Sequence, residues 1–137
     1  MNLEQAPKKY HGNHYMLYSC QYHVIFCPKY RRKVLYPPLD TRLKALILAQ
    51  QRPYGYTLVG MDVLPDHVHL LLDVNPEIGI KTIVGQIKRS TAHTLRTEAP
   101  WLKKRLPSLW TRWTFIASVG TVTLDSVQRY IESQKGV

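Results

Sequence analysis

The sequence predicts an α+β fold: an antiparallel sheet of the split β-α-β type with helices packed on it. Three observations carry that expectation. Segments dense in β-branched and aromatic residues alternate with segments of helical periodicity in the order β-α-β-β-α-β-α. Only Pro65 and Asp66 separate the two middle strands, so these pair as an antiparallel hairpin. The 137 residues, 45% hydrophobic and 20% charged, amount to about one domain with enough apolar matter for a core.

The elements follow in order. Met1 to His14 is polar and reads as a flexible N-terminus without the apolar stretch of a signal peptide. Residues 16–28, MLYSCQYHVIFCP, form the first strand, and residues 29–38, KYRRKVLYPP, a basic, proline-terminated connection. Asp40 or Thr41 caps a helix running to about Gln51, with Leu43, Leu46, Ile47 and Gln50 along one face; Pro53 and Gly55 end it. Tyr56 to Leu64 and His67 to Val74 are the hairpin strands. Residues 80–96 place Ile80, Ile83, Val84, Ile87, Thr91 and Leu95 on one helical face, with Lys81, Lys88 and Arg96 on another. Pro100 to Ser108 reads as a basic loop, Thr114 to Val119 as the fourth strand, and a last helix begins near Thr123 with Asp125 in its first turn. No repeat, low-complexity tract or Gly/Ser linker divides the chain, so residues 1–137 read as one unit of ferredoxin/RRM-like type.

Composition narrows the function. The apolar fraction excludes a disordered chain, and no run of about 18 apolar residues exists for a membrane span. Lys and Arg number 19 against 9 Asp and Glu, a net charge of +10. A surplus this large on a small chain concentrates polyanions, nucleic acid foremost. No basic amphipathic segment pairs with an exposed Trp/Phe face, which argues against a membrane-surface partner. Cys20 and Cys27 match neither a C-x-x-C pattern nor a disulfide framework, so a reduced, cytoplasmic setting is the simpler reading.

Two constellations carry chemistry. In Pro65-Asp66-His67-Val68-His69-Leu70-Leu71-Leu72, strand alternation sends His67 and His69 to one face and Val68, Leu70 and Leu72 to the other. Cβ atoms two residues apart on one face are about 7 Å apart, a workable span for two imidazoles on one metal ion. A bare H-x-H is more often two histidines on a wet sheet face, and both readings stand at this point. In the last helix, LDSVQRYIESQ, Leu124, Val127 and Ile131 define the stripe expected to be buried, and Tyr130 and Gln134 lie one turn apart at its edge. Tyrosine at such an edge is usually a packing residue with a wet hydroxyl. As a nucleophile, with its ordinary pKa of about 10, it needs a metal-polarised electrophile or a nearby base or cation.

Together these motifs resemble the single-tyrosine HUH transposases, the IS200-like transposase family of small insertion sequences that move as single-stranded DNA. The resemblance rests on His67-Val68-His69 in its strand, Tyr130-Ile131-Glu132-Ser133-Gln134 near the end, Lys29-Tyr30-Arg31-Arg32 after the first strand, Lys88-Arg89-Ser90, Trp110 and Ser118-Val119-Gly120. It covers about Tyr15 to Gln134. It implies a metal site for Mg²⁺ or Mn²⁺ at His67, His69 and Gln134, and Tyr130 as the nucleophile on the C-terminal catalytic helix, forming a 5′-phosphotyrosine while a 3′-hydroxyl leaves. It further implies a homodimer whose sheets join edge to edge, with the tyrosine helix of one subunit able to complete the histidine pair of the other across a hinge at 119–123. Recognition of hairpins at transposon ends and a prokaryotic, nucleoid-associated location follow from the same resemblance. Thr114 departs from the pattern, standing where relatives often carry an aromatic residue. For DNA, the basic and aromatic cluster Lys29, Tyr30, Arg31, Arg32 suits a single strand, where bases stack on rings and cations follow phosphates. Lys88 and Arg89 are further candidates; Lys81, Arg96 and Lys103-Lys104-Arg105 are weaker ones. Two other readings share the basic charge: a metal-dependent phosphodiesterase or nuclease without a covalent intermediate, and a non-catalytic nucleic-acid-binding module.

Overall fold

The computed structural model describes residues 11–13, 16–120 and 124–133. A short ribbon comes first: β1 (His11–Asn13) pairs antiparallel with β2 (Met16–Tyr18). The sequence reading missed β1 and ran β2 into the next strand. The break has a cause at Cys20, whose N–H donates to the Asp73 carboxylate at 2.9 Å and whose carbonyl accepts from Val74 N–H at 2.8 Å. Those bonds carry the chain out of the ribbon and into the main sheet at β3 (Gln21–Phe26).

Pro28, which has no N–H to donate to a ladder, follows β3. A 3₁₀ turn, Lys29–Arg31, comes next, with Tyr30 and Arg31 at φ 58° and 52° in the left-handed region. α1 (Leu39–Ala49) starts ahead of the expected cap, with Asp40 in the first turn, where the helix dipole favours a carboxylate. Pro53 does not stop the helical path. After a kink at Gln50, α2 (Gln51–Tyr54) takes Pro53 as its third residue, where a missing N–H leaves no hydrogen bond unmade, and Gly55 at φ 83° ends it.

β4 (Tyr56–Leu64) and β5 (His67–Val74) form the expected hairpin, with an irregularity between Leu58 and Gly60. α3 (Ile80–Glu98) runs slightly longer than its periodicity indicated. The expected loop at 100–108 contains a helix, α4 (Pro100–Arg105). Pro100 is preorganised for the first helical position, Leu102 and Leu106 are buried, and Lys103, Lys104 and Arg105 fall in the last turn, where the dipole favours cations. β6 (Phe115–Ser118) is shorter than expected at both ends, and α5 (Leu124–Ser133) closes the described chain.

Strands β4-β5-β3-β6 make one antiparallel sheet in that order. Its core face carries Val24, Phe26, Val68, Leu70 and Leu72, packed against Leu43 and Ile47 of α1 and Ile83, Ile87 and Leu95 of α3, all of them essentially inaccessible. Trp110 stands edge-on to Phe26, centroids 4.7 Å apart, and its indole N–H donates to buried Thr91. No helix among the described residues is long and apolar enough to cross a membrane.

Candidate active site

Register places the chemistry on the opposite face. Val68, Leu70 and Leu72 belong to the core, so His67, His69, Leu71 and Asp73 face away from it. Directly across β4, Asp62 pairs with His69 and Leu64 with His67. Across β3, Ile25 pairs with His69 and His23 with Leu71, so His23 and His69 are diagonal neighbours with ring centroids 5.7 Å apart. On β6, Phe115 and Ala117 lie opposite Ile25 and His23. Phe115 is exposed, as is Trp113 just before the strand, so aromatic rings stand at one side of the histidine face.

The two histidines are held differently. His67 Nδ1 lies 2.8 Å from the Asp66 carboxylate, which can only accept; in a neutral ring that contact puts the proton on Nδ1 and the lone pair on Nε2. The other Asp66 oxygen accepts from Arg31 Nε at 3.1 Å. The hydrogen bond with His67, assisted by the Arg31 charge, holds Asp66 below the usual carboxylate range. His69 Nε2 is buried without a hydrogen-bond partner, as is His23 Nδ1. Burial, with the neighbouring His23 and against the opposing charge of Asp62, lowers the His69 pKa from 6.5, so its imidazole is neutral near pH 7.

A partnerless buried nitrogen beside a second imidazole whose far nitrogen is already satisfied is a donor set that fits a divalent cation. Among the described residues no group of three or more His, Cys, Asp or Glu side chains could hold a metal ion. Oxygen donors would complete the shell of Mn²⁺, and still more of Mg²⁺. Gln134 lies outside the described residues; Tyr130 falls on α5. Ile131 on that helix is 61% exposed, which corrects the burial expected for that residue: periodicity marks an apolar face but does not say what covers it.

The basic residues divide. Lys29 stacks over the exposed ring of Tyr30, and Arg31, Arg32 and Lys33 line a groove of about 530 Å³ with Val34, Arg105 and Leu106. Arg89 is exposed on α3. Lys88 turns inward instead: its ammonium donates to the carbonyl of Thr111 (2.8 Å) and the hydroxyl of Thr114 (2.9 Å), and burial lowers its pKa. It clamps the segment before β6. Thr114 is thus a partner of that clamp. Arg96 likewise donates to Pro107 O at 3.4 Å. Sequence reasoning missed His23, although strand parity opposite Val24 and Phe26 was a signal for it.

The family model described as "Transposase IS200 like" matches residues 16–134. The chain belongs to the IS200-like transposase family. It is 36% identical over 120 residues to the ISDra2 transposase TnpA of Deinococcus radiodurans, covering 86% of each chain. Identity to the transposase for insertion sequence element IS200 of Salmonella typhimurium is 26%, over 85% of this chain and 78% of that one. Among solved structures, a putative transposase from Deinococcus radiodurans superposes with a TM-score of 0.74 at 31% identity, over 90% of this chain and 97% of that one. A tyrosine transposase bound to a REP hairpin shares the fold, with a TM-score of 0.57 at 14% identity, over 88% of this chain and 69% of that one. As an IS200-like transposase the protein is an enzyme acting on DNA, and its α+β architecture with helices on an antiparallel sheet is that of its structural relatives.

Proposed function

We propose that this transposase cleaves and rejoins single-stranded DNA at insertion-sequence ends through a 5′-phosphotyrosine on Tyr130, assisted by Mg²⁺ or Mn²⁺ held by His67, His69 and Gln134. The observation that carries the reading is the buried, partnerless Nε2 of His69 beside an Asp66-oriented His67, on the face of β5 opposite Val68, Leu70 and Leu72. When bound, the cation supplies positive charge to the phosphate oxygens as they become more negative. The chain's own residues do the rest. An imidazole binds a cation through an uncharged nitrogen, so His67 and His69 as ligands cancel none of that charge. Tyr130 Oη forms a bond to phosphorus as the P–O3′ bond breaks, and the phenolic proton leaves through solvent while the 3′ oxygen gains one. Attack by another 3′-hydroxyl reverses the step, so one phosphodiester is exchanged for another without ATP. Exposed Tyr30, Trp113 and Phe115 offer stacking surfaces, and Lys29, Arg31, Arg32 and Arg89 offer charge for a hairpin-bearing strand. The exposed Ile131 on α5 supports a homodimer in which that apolar face finds cover on a second copy.

The test uses 5′-labelled and 3′-labelled single-stranded DNA carrying an end hairpin, incubated with protein and Mn²⁺ and run on a denaturing protein gel. The expected result is a metal-dependent labelled protein band from the 3′-labelled strand only, absent in Tyr130→Phe. Cleavage without an adduct, unchanged in Tyr130→Phe, would overturn the tyrosine and leave a metal-dependent phosphodiesterase. Tight binding without cleavage would leave a binding module.

A further inference from the structure

Asp66 occupies the turn between β4 and β5 and is engaged on both oxygens: one accepts from His67 Nδ1 at 2.8 Å, the other from Arg31 Nε at 3.1 Å. Arg31 comes from a distant part of the chain, the turn after β3. Backbone bonds tie the two segments as well, since Val34 and Leu35 N–H both donate to the carbonyl of Pro65 at 3.1 Å. Stability gives little reason for this arrangement. The Arg31 side chain is 72% exposed, and ion pairs in water contribute little to folding. Yet Tyr30 and Arg31 are both held at positive φ, a conformation that residues with a Cβ adopt at a cost. The turn aims the guanidinium at Asp66.

We propose that Asp66 and Arg31 are positioning residues for His67, Asp66 fixing the imidazole so that Nε2 faces the cation and Arg31 fixing Asp66. The inference rests on the reading of His67 as a metal ligand. A neutral histidine can carry its proton on either nitrogen, and only one tautomer leaves Nε2 free to bind. A carboxylate at Nδ1 selects that tautomer and stops the ring from flipping. Without the guanidinium, the carboxylate is free to turn and be solvated, and the selection weakens. Arg31 also lines the basic groove with Arg32, Lys33 and Arg105, so the residue that orients the ligand stands where a DNA phosphate would be drawn.

The test uses the full chain as wild type, Asp66→Ala, Asp66→Asn and Arg31→Met. Long-range ¹H–¹⁵N correlation of the histidine rings in metal-free protein reports the tautomer, calorimetric titration with Mn²⁺ reports affinity, and thermal melting reports the fold. Wild-type His67 is expected as the Nδ1–H tautomer. Asp66→Ala should shift it toward Nε2–H and weaken Mn²⁺ binding about 10- to 100-fold with the melting temperature unmoved. Asp66→Asn keeps an acceptor for His67 while losing the ion pair, so it and Arg31→Met should fall between. Wild-type His67 as Nε2–H, or an Mn²⁺ affinity unchanged in Asp66→Ala, overturns this inference alone. A wild-type chain that takes up no Mn²⁺ overturns it together with the metal-assisted reading.

Discussion

His69 and Leu70 are neighbours on one strand, yet they sit on opposite faces of the sheet and obey opposite rules. Leu70 is fully buried among α1 and α3, where each apolar atom removed from water adds to stability. His69 carries a nitrogen that is equally hidden but has no partner, which is a net cost to the folded chain. The alternation of apolar and polar side chains extends over three strands: Val24, Phe26, Val68 and Leu72 on one side, His23, Asp62 and His67 on the other. One face packs against the helices, and the other carries two buried ring nitrogens, on His69 and His23, that have no hydrogen-bond partner.

The sharpest way to break this comparison is to make the two faces alike. His69→Leu removes the partnerless nitrogen, so its melting temperature in EDTA should stay level or rise, while Mn²⁺-dependent adduct formation falls to background. A clear fall in melting temperature would mean that the histidine face is structural after all. The reciprocal change, Leu70→Ala, should cost about 2–5 kcal/mol in urea denaturation, and cleavage per folded molecule should persist.

How far this division is legible in the sequence depends on whether it is local. The β4–β5 hairpin, and the facing of His67 and His69 away from Leu70, follow from a two-residue turn and period-2 alternation, both readable along the chain. The bond from Arg31 to Asp66 spans 35 residues, and the pairing that brings His23 beside His69 depends on register between distant strands. Neither is written in a short window. α4 was missed for a related reason: a six-residue helix shows too little periodicity, and burial of Leu102 and Leu106 decides it. Lys88 shows the same limit for charge, since a lysine in sequence says nothing of whether its ammonium faces water.

That last point can be sharpened by pairing an inward cation with an outward one. Lys88→Met leaves the carbonyl of Thr111 and the hydroxyl of Thr114 without their donor and should cost about 1–3 kcal/mol in denaturant titration. The salt dependence of its binding to single-stranded DNA should be unchanged. Arg32→Ala should do the reverse, leaving stability alone and reducing the slope of log affinity against log salt by about 0.7 if Arg32 contacts one phosphate. Equal slopes in both variants would erase the distinction between clamp and groove.

The smallest expected effect follows from the pKa of His69. Folding lowers it below the unfolded value of about 6.5, because the buried ring resists becoming charged. Between the two pKa values the unfolded chain therefore binds more protons than the folded one, and stability must rise with pH there. Above the unfolded value the effect is flat. As pH falls through it, stability declines until the folded pKa is reached, and then levels off. In metal-free protein, His69→Leu should remove this component of the acid sensitivity, giving a shallower loss of melting temperature than wild type shows as pH falls through about 6.5. A cation on the ring should work in the same sense, since it competes with the proton for the same nitrogen. An acid slope identical in His69→Leu and wild type would show that the buried nitrogen meets water on the histidine face, and the comparison between the two faces would lose its thermodynamic basis.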